Sequence, residues 1–263
     1  MHRPRKRFGQ HFLSDPDTIA RIVGAIEPGW DDRMVEIGPG LGALTRPLVA
    51  RVHCLHAVEI DRDLAAQLSA EYPSGRLAVH VQDALKFDFA PLGPRLRIVG
   101  NLPYNISTPL LFRFAAIAPR LQDLHLMLQR EVVDRMAAAP STAAYGRLSV
   151  MLQYRFGIER LFTVPPRAFR PPPGVESAVA RMTPLEKPES EALDPKMLGE
   201  VVTRAFTRRR KTLRNALSGL VSEKTLASLD IDPGLRPENL SVADFVKISN
   251  RVSEGTVRPP SSE

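Results

Sequence analysis

The sequence predicts an α/β fold: a mostly parallel sheet with helices on both faces, an antiparallel edge, and a small all-helical domain at the C-terminus. Three observations predict it. Apolar runs at residues 34–37, 55–60, 77–81, 96–99 and 121–128 alternate with stretches of helical periodicity, the grammar of βαβ units. A tight glycine turn, Gly38-Pro39-Gly40-Leu41-Gly42, separates the first run from its helix. Finally, 263 residues at 43% apolar and 25% charged content suffice for a sizeable core and lie outside the disordered, collagen-like and coiled-coil ranges.

In chain order, Ser14-Asp15-Pro16 supplies a cap and a proline suited to the first helical position, and Ile19, Ile22, Val23 and Ile26 then recur on one helical face. Met34-Val35-Glu36-Ile37 reads as a buried strand, and Leu44, Leu48, Val49 and Val52 as the inner face of the helix after the glycine turn. The second strand ends in Glu59 and Asp61, the third at Asp83 and the fourth at Asn101; a helix over 106–118 leads into the fifth. Two later apolar stretches, 148–156 and 175–182, are joined by the proline-rich segment 165–173 and read as an antiparallel edge pair. The composition then changes to a Pro- and Glu-rich linker, placing the domain boundary at 185/186. The second domain, 186–263, is expected to hold a helical region at 197–217 and a helix capped at Ser241, with a disordered tail from Glu254.

The net charge is +7, and the basic residues cluster. Arg3, Arg5, Lys6 and Arg7 open the chain, and between 201 and 222 Arg204, Arg208, Arg209, Arg210, Lys211 and Arg214 face no acid at all. Such stripes suit a polyanionic partner, because each neutralised phosphate releases condensed counterions. The single cysteine, Cys54, excludes an internal disulfide and a multi-thiolate zinc site. It reads as a small core residue. His53 and His56 have no third ligand nearby, so no metal is expected. The sequence shows neither an 18-residue apolar run nor a signal-peptide pattern, which leads to the expectation of a soluble cytoplasmic protein, a monomer with no membrane association.

The glycine turn admits two ligands. As G-x-G-x-x-A (Gly38, Gly40, Ala43), with an acid at the end of the next strand, it fits the Rossmann-like dinucleotide fingerprint of an oxidoreductase. As E-x-G-x-G-x-G (Glu36, Gly38, Gly40, Gly42) it resembles the first motif of the S-adenosylmethionine-dependent methyltransferases. Either ligand offers a ribose diol to Glu59, with Asp61 as second candidate, and an adenine amino group to Asp83. Asn101-Leu102-Pro103-Tyr104 decides between them. It resembles the N-[LIP]-P-[YF] signature of methyltransferases that modify an exocyclic amine conjugated to a base ring. The lone pair of such a nitrogen is delocalised into the ring. Two acceptors, the Asn101 side-chain oxygen and the carbonyl next to Pro103, would take its N–H bonds and turn the lone pair toward the methyl donor, while Tyr104 stacks on the base. Phe169, on the proline-rich segment, is the candidate for the opposite face. A duplex hides this amine, so the target is single-stranded or flipped out.

Five blocks, in unbroken order over about residues 5–250, resemble the KsgA/RsmA family of 16S ribosomal RNA adenine dimethyltransferases. They are Arg5-Lys6-Arg7-Phe8-Gly9-Gln10-His11-Phe12-Leu13, the segment 35–41, Gly100 to Ser107, Tyr145-Gly146-Arg147-Leu148-Ser149, and Arg209-Arg210-Lys211-Thr212-Leu213-Arg214-Asn215. The resemblance implies a class I methyltransferase sheet and a cofactor, S-adenosylmethionine, lined by His11, Leu13, Gly38, Glu59, Asp83 and Asn101, with Gly40 in the same turn. It implies two methyl transfers to N6 of each of two adjacent adenosines in the 3′-terminal hairpin loop of 16S rRNA, within the 30S subunit or its precursor, and a part in small-subunit biogenesis. Arg5, Lys6, Arg7, Arg208, Arg209, Arg210, Lys211 and Arg214 are then the candidate RNA contacts. The alternatives within reach are a 23S rRNA adenine methyltransferase of the antibiotic-resistance type and a non-catalytic assembly factor on the same fold.

Overall fold

The computed structural model describes residues 10–187 and 190–257. The chain divides into two compact units, Met1–Val133 with Phe156–Pro184, and Asp134–Arg155 with Leu185–Glu263.

The first unit opens with β1 (Phe12–Leu13) and α1 (Pro16–Ile26). Asp15 caps α1 by accepting from the Thr18 amide at 2.9 Å, and Ile22, Val23 and Ile26 form its buried face. Then follow β2 (Arg33–Ile37), α2 (Thr45–Val49), β3 (Leu55–Glu59), α3 (Arg62–Glu71), β4 (Leu77–Val81), β5 (Leu96–Asn101), α4 (Ser107–Ala116), β6 (Leu121–Gln129) and α5 (Arg130–Met136). The seven-stranded sheet runs β4-β3-β2-β5-β6-β9-β7, where β7 is Phe156–Val164 and β9 is Ser177–Pro184, with α6 (Arg147–Gln153) preceding β7 in the chain. β4 through β6 are parallel, and β9 joins antiparallel to both neighbours. From β2 the chain steps outward to β3 and β4, then returns to the other side of β2 as β5. That reversal opens a crevice at the carboxyl ends of β2 and β5, where open α/β sheets hold their ligands.

A second, two-stranded ribbon pairs β1 with β8 (Phe169–Arg170), Phe12 opposite Arg170 and Leu13 opposite Phe169. α1 is fastened at its far end by Arg97 of β5. This buried guanidinium donates to the Ile26 carbonyl (2.6 Å) and the Glu27 carbonyl (3.2 Å), and pairs with Asp32 (2.5 Å) and Asp123 (2.7 Å). The helix carbonyls at a C-terminus need partners, and here one side chain supplies them from the sheet.

The second unit gathers α6, α7 (Pro195–Thr207), α8 (Leu213–Ala216), α9 (Glu223–Ser228) and α10 (Val242–Val257). Its core includes Tyr145, Val150, Leu198, Val202, Leu213 and Phe245. The Tyr145 hydroxyl, fully buried, donates to the Leu240 carbonyl at 2.9 Å.

The structure corrects three expectations. Residues 147–153 form helix α6 rather than part of an edge strand. A short apolar run does not distinguish a buried helix from a strand, and here Ser149 decides it, accepting from the Gly146 amide at 3.0 Å at the helix start. The partner of β9 is instead β7, whose alternation is broken by a register shift between Arg160 and Phe162. Residues 134–155, which the sequence places in the first domain, fall in the second unit. Glu254, expected to begin a disordered tail, lies inside α10. Among the described residues, no helix is long and apolar enough to cross a membrane.

Candidate active site

A cavity of about 240 Å³ occupies the crevice, walled by the segment 10–13, the glycine turn and the ends of β2 to β5. Gly38, Gly40, Glu59, Asp83 and Asn101 all line it, as do His11 and Leu13. The turn is left-handed at Gly38 (φ 65°) and Gly40 (φ 58°), conformations in which a Cβ is strained. At Gly40 a Cβ would also stand 3.1 Å from the Phe12 ring. Gly40→Ala is therefore expected to displace Phe12 from the cavity wall and to weaken cofactor binding about tenfold, for a strain of ~1–2 kcal/mol, as read by calorimetric titration.

Glu59 is 5% exposed, and both of its oxygens are already oriented: Oε2 accepts from the Gly40 amide (3.1 Å) and Oε1 from the Asp61 amide (2.8 Å). Burial raises its pKa, and these backbone donors pull it part of the way back. Asp61 is settled by geometry: it caps α3, accepting from the Asp63 amide at 3.1 Å, and stands outside the cavity wall. Asp83 uses one oxygen to hold the Leu85 amide at 2.9 Å.

The Asn101 amide nitrogen donates to the His11 carbonyl at 2.9 Å. A carbonyl can only accept, so this bond fixes the flip of the amide and leaves Oδ1 as a free-standing acceptor. The same logic sets His11. Its Nδ1 lies 2.8 Å from the Pro171 carbonyl and must carry a proton there. His11 stacks on Tyr104 with ring centroids 5.8 Å apart, and the Tyr104 hydroxyl bonds the Ser177 hydroxyl at 2.7 Å. Burial raises the Tyr104 pKa, partly offset by that bond. Leu102 and Pro103 complete the wall beneath them.

Phe169 is placed elsewhere. It is 2% exposed, sits in the core with Leu13, Val164, Ala168 and Val179, and takes no part in the cavity wall. The β1–β8 register turns its ring inward, and bringing it out to a base would forfeit roughly 2–3 kcal/mol of buried apolar surface.

Two lining residues were given no role by the sequence reading, although Glu36 stands in the E-x-G-x-G-x-G motif. Ile60, directly after Glu59, is 47% exposed and offers the cavity an apolar face. Glu36 is 2% exposed, and its Oε2 has no hydrogen-bond partner. Burial pushes its pKa up to about 7; Thr45, whose own buried hydroxyl makes no standard hydrogen bond, offsets a little of this, and the Glu59 charge adds to it. An acid inside the apolar run Met34-Val35-Glu36-Ile37 was the available signal.

Of the basic residues, Arg208, Arg210, Lys211 and Arg214 are exposed in the second unit. Arg209 is engaged within that unit, with Glu238 at 2.6 Å and the Ala143 carbonyl at 2.8 Å. Arg5, Lys6 and Arg7 lie outside the described residues. His56 bonds His80 across β3 and β4 at 3.0 Å, while His53 meets Trp30 edge-on; Cys54 is partly buried.

The donor set discriminates between ligands. Glu36, Glu59 and Asp83 line the cavity, and among the described residues no Lys or Arg does. Three carboxylates repel a pyrophosphate and suit a cationic ligand; the unpartnered Glu36 oxygen in particular calls for positive charge. Fold and site together define a class I S-adenosylmethionine-dependent methyltransferase. The chain belongs to the ribosomal RNA adenine dimethylase family, whose model matches residues 1–254. Ribosomal RNA small subunit methyltransferase A of Chromobacterium violaceum is 57% identical over 258 residues, 98% of each chain. Its counterpart from Aromatoleum aromaticum is 58% identical over 257 residues, 98% of this chain and 97% of that one. Among solved structures, a dimethyladenosine transferase from Plasmodium falciparum shares the fold at a TM-score of 0.81, with 24% identity over 94% of this chain and 98% of that one. The 23S rRNA methyltransferase ErmE is similar at a TM-score of 0.70, with 27% identity over 92% of this chain and 99% of that one. The protein is an rRNA adenine dimethyltransferase.

Proposed function

We propose that the protein places two methyl groups on N6 of each of two adjacent adenosines in the 3′-terminal hairpin loop of 16S rRNA, acting on the small ribosomal subunit or its precursor in the cytoplasm. The carboxylate-lined cavity beside Asn101, with no Lys or Arg among its described residues, carries the methyl-transfer reading, and the small-subunit name shared by the relatives supports this substrate over the large subunit. When bound, S-adenosylmethionine supplies an electrophilic methyl group on a sulfonium.

The chain's own residues bind, orient and accept. Glu59 has lone pairs left on both oxygens for a ribose diol, Asp83 keeps one oxygen for an adenine amino group, and Ile60 packs on a ring face. Gly38 and Gly40 admit the ligand close to the backbone. His11 and Leu13 close the wall from β1, and Glu36 balances positive charge. On the substrate side, Asn101 Oδ1 and the Leu102 carbonyl before Pro103 accept the two N–H bonds of the target amine, and Tyr104 stacks its base. Catalysis is alignment plus placed acceptors. Arg208, Arg210, Lys211 and Arg214 grip RNA phosphates from the helical unit, joined by the arginines and lysine at 5–7.

Labelled methyl transfer tests this directly. Under-methylated 30S particles are expected to take up about four methyl groups each at the 16S 3′ end, located by mass spectrometry, and bare 23S RNA none. Labelling of 23S RNA alone would overturn the substrate.

A further inference from the structure

The register that turns Phe169 into the core turns its neighbour Arg170 to the other side of the ribbon. Directly opposed residues of an antiparallel pair share a face, so Leu13 and Phe169 project to one side of the ribbon and Phe12 and Arg170 to the other. Phe12 lies against Gly40 and lines the cavity, which identifies the side on which Arg170 emerges. Arg170 is exposed, on the same side of the ribbon as Phe12 and outside the cavity wall itself. A short chain of bonds ties it to the reacting end: Asn101 donates to the His11 carbonyl (2.9 Å), His11 donates to the Pro171 carbonyl (2.8 Å), and Pro171 follows Arg170 in the chain. Among the described residues its guanidinium has no ion-pair or hydrogen-bond partner. Arg130, whose amide donates to the carbonyl of Glu176 just before Ser177, the hydroxyl partner of Tyr104, is by contrast neutralised by the Glu176 carboxylate at 2.6 Å.

We infer that Arg170 binds a backbone phosphate of the target nucleotide, positioning the flipped adenosine between Asn101 and Tyr104. An extruded base drags its phosphodiester to the mouth of the pocket. Among the described residues the cavity wall carries Glu36, Glu59 and Asp83 and no Lys or Arg, so a cation beside the opening offsets their charge for an anionic backbone, and the planar fork of an arginine matches two phosphate oxygens at once. Arg170 acts through placement of the nucleotide and touches neither reacting atom. The inference rests on the rRNA methyl-transfer reading.

The test uses the full chain, with Arg170→Ala and Arg170→Lys compared to wild type on under-methylated 30S particles. For Arg170→Ala, the KM for particles is expected to rise about tenfold with kcat within about twofold, as for loss of one charge-assisted bond. The plot of log(kcat/KM) against log salt should flatten by about 0.7, the value of one single-strand phosphate contact. Arg170→Lys should restore the slope, and S-adenosylmethionine affinity, read by calorimetry, should not move in either variant. An unchanged KM and salt slope in Arg170→Ala would overturn the inference, as would a fall in kcat alone. Failure of the wild-type protein to methylate the particles would instead refute the function on which it rests.

Discussion

Asn101→Ala is expected to lower single-turnover methyl transfer by about 10²- to 10³-fold, the range for deleting one placed polar group beside the reacting atoms. Ground-state binding should respond far less. Asn101 contributes one of several cavity contacts, so the Kd for S-adenosylmethionine should rise by less than about tenfold. The sharper variant is Asn101→Asp. It keeps an oxygen where the acceptor stands and loses the N–H that holds the His11 carbonyl at 2.9 Å. A carboxylate facing that carbonyl is repelled, so the acceptor loses its aim, and activity should fall nearly as far as with Ala. Rapid-quench measurement with saturating cofactor reads both. Full turnover in Asn101→Ala would remove Asn101 from the chemistry. Recovery of most activity in Asn101→Asp would show that an oxygen alone suffices and that the bond to His11 aims nothing.

The parallel sheet and its ligand-bearing edge were legible because each was signalled locally. Strand runs ending in Glu59, Asp83 and Asn101 follow one another at βαβ spacing, and a parallel sheet necessarily brings such ends to one side. What stayed hidden depended on pairing between distant segments. β1 and β8 are two residues each and lie more than 150 residues apart, so no periodicity announces them, yet their register alone decides whether Phe169 or Arg170 faces the cavity. Helix α6 was hidden for a different reason. Leu148, Val150 and Leu152 alternate as a strand would, and only the burial of Ser149 and Tyr154 as well shows a helix enclosed on most sides. The pairing of Arg209 was hidden because its acid, Glu238, comes 29 residues later, in a turn that folding brings back.

Glu36 links stability to function, and Glu36→Gln is expected to move the two in opposite directions. The folded protein holds this carboxyl at a pKa of about 7, against 4.5 as the ordinary value, because burial disfavours the charged form. A raised carboxyl pKa means that the folded state retains the proton longer than the unfolded chain does. The contribution to stability is therefore full below pH 4.5 and is lost as pH rises toward about 7; above that the ligand-free protein bears a cost of roughly 3 kcal/mol. Glutamine removes the charge but adds a buried amide with incomplete partners, worth ~1 kcal/mol against it. The net gain at pH 8 is then about 2 kcal/mol, several degrees in Tm by scanning calorimetry, while at pH 4.5 the gain vanishes. Binding should run the other way. A cationic ligand needs Glu36 ionised, so wild-type affinity for S-adenosylmethionine should rise about tenfold between pH 6 and pH 8, and that rise should disappear in Glu36→Gln together with the tighter binding. A variant no more stable than wild type at pH 8, or one whose cofactor affinity keeps the wild-type pH dependence, would show that Glu36 is a packed strand residue with no part in holding the ligand. The expected pair of results would mean that an uncompensated buried acid is retained at the floor of the site, destabilising the empty protein, because the ligand's positive charge relieves it.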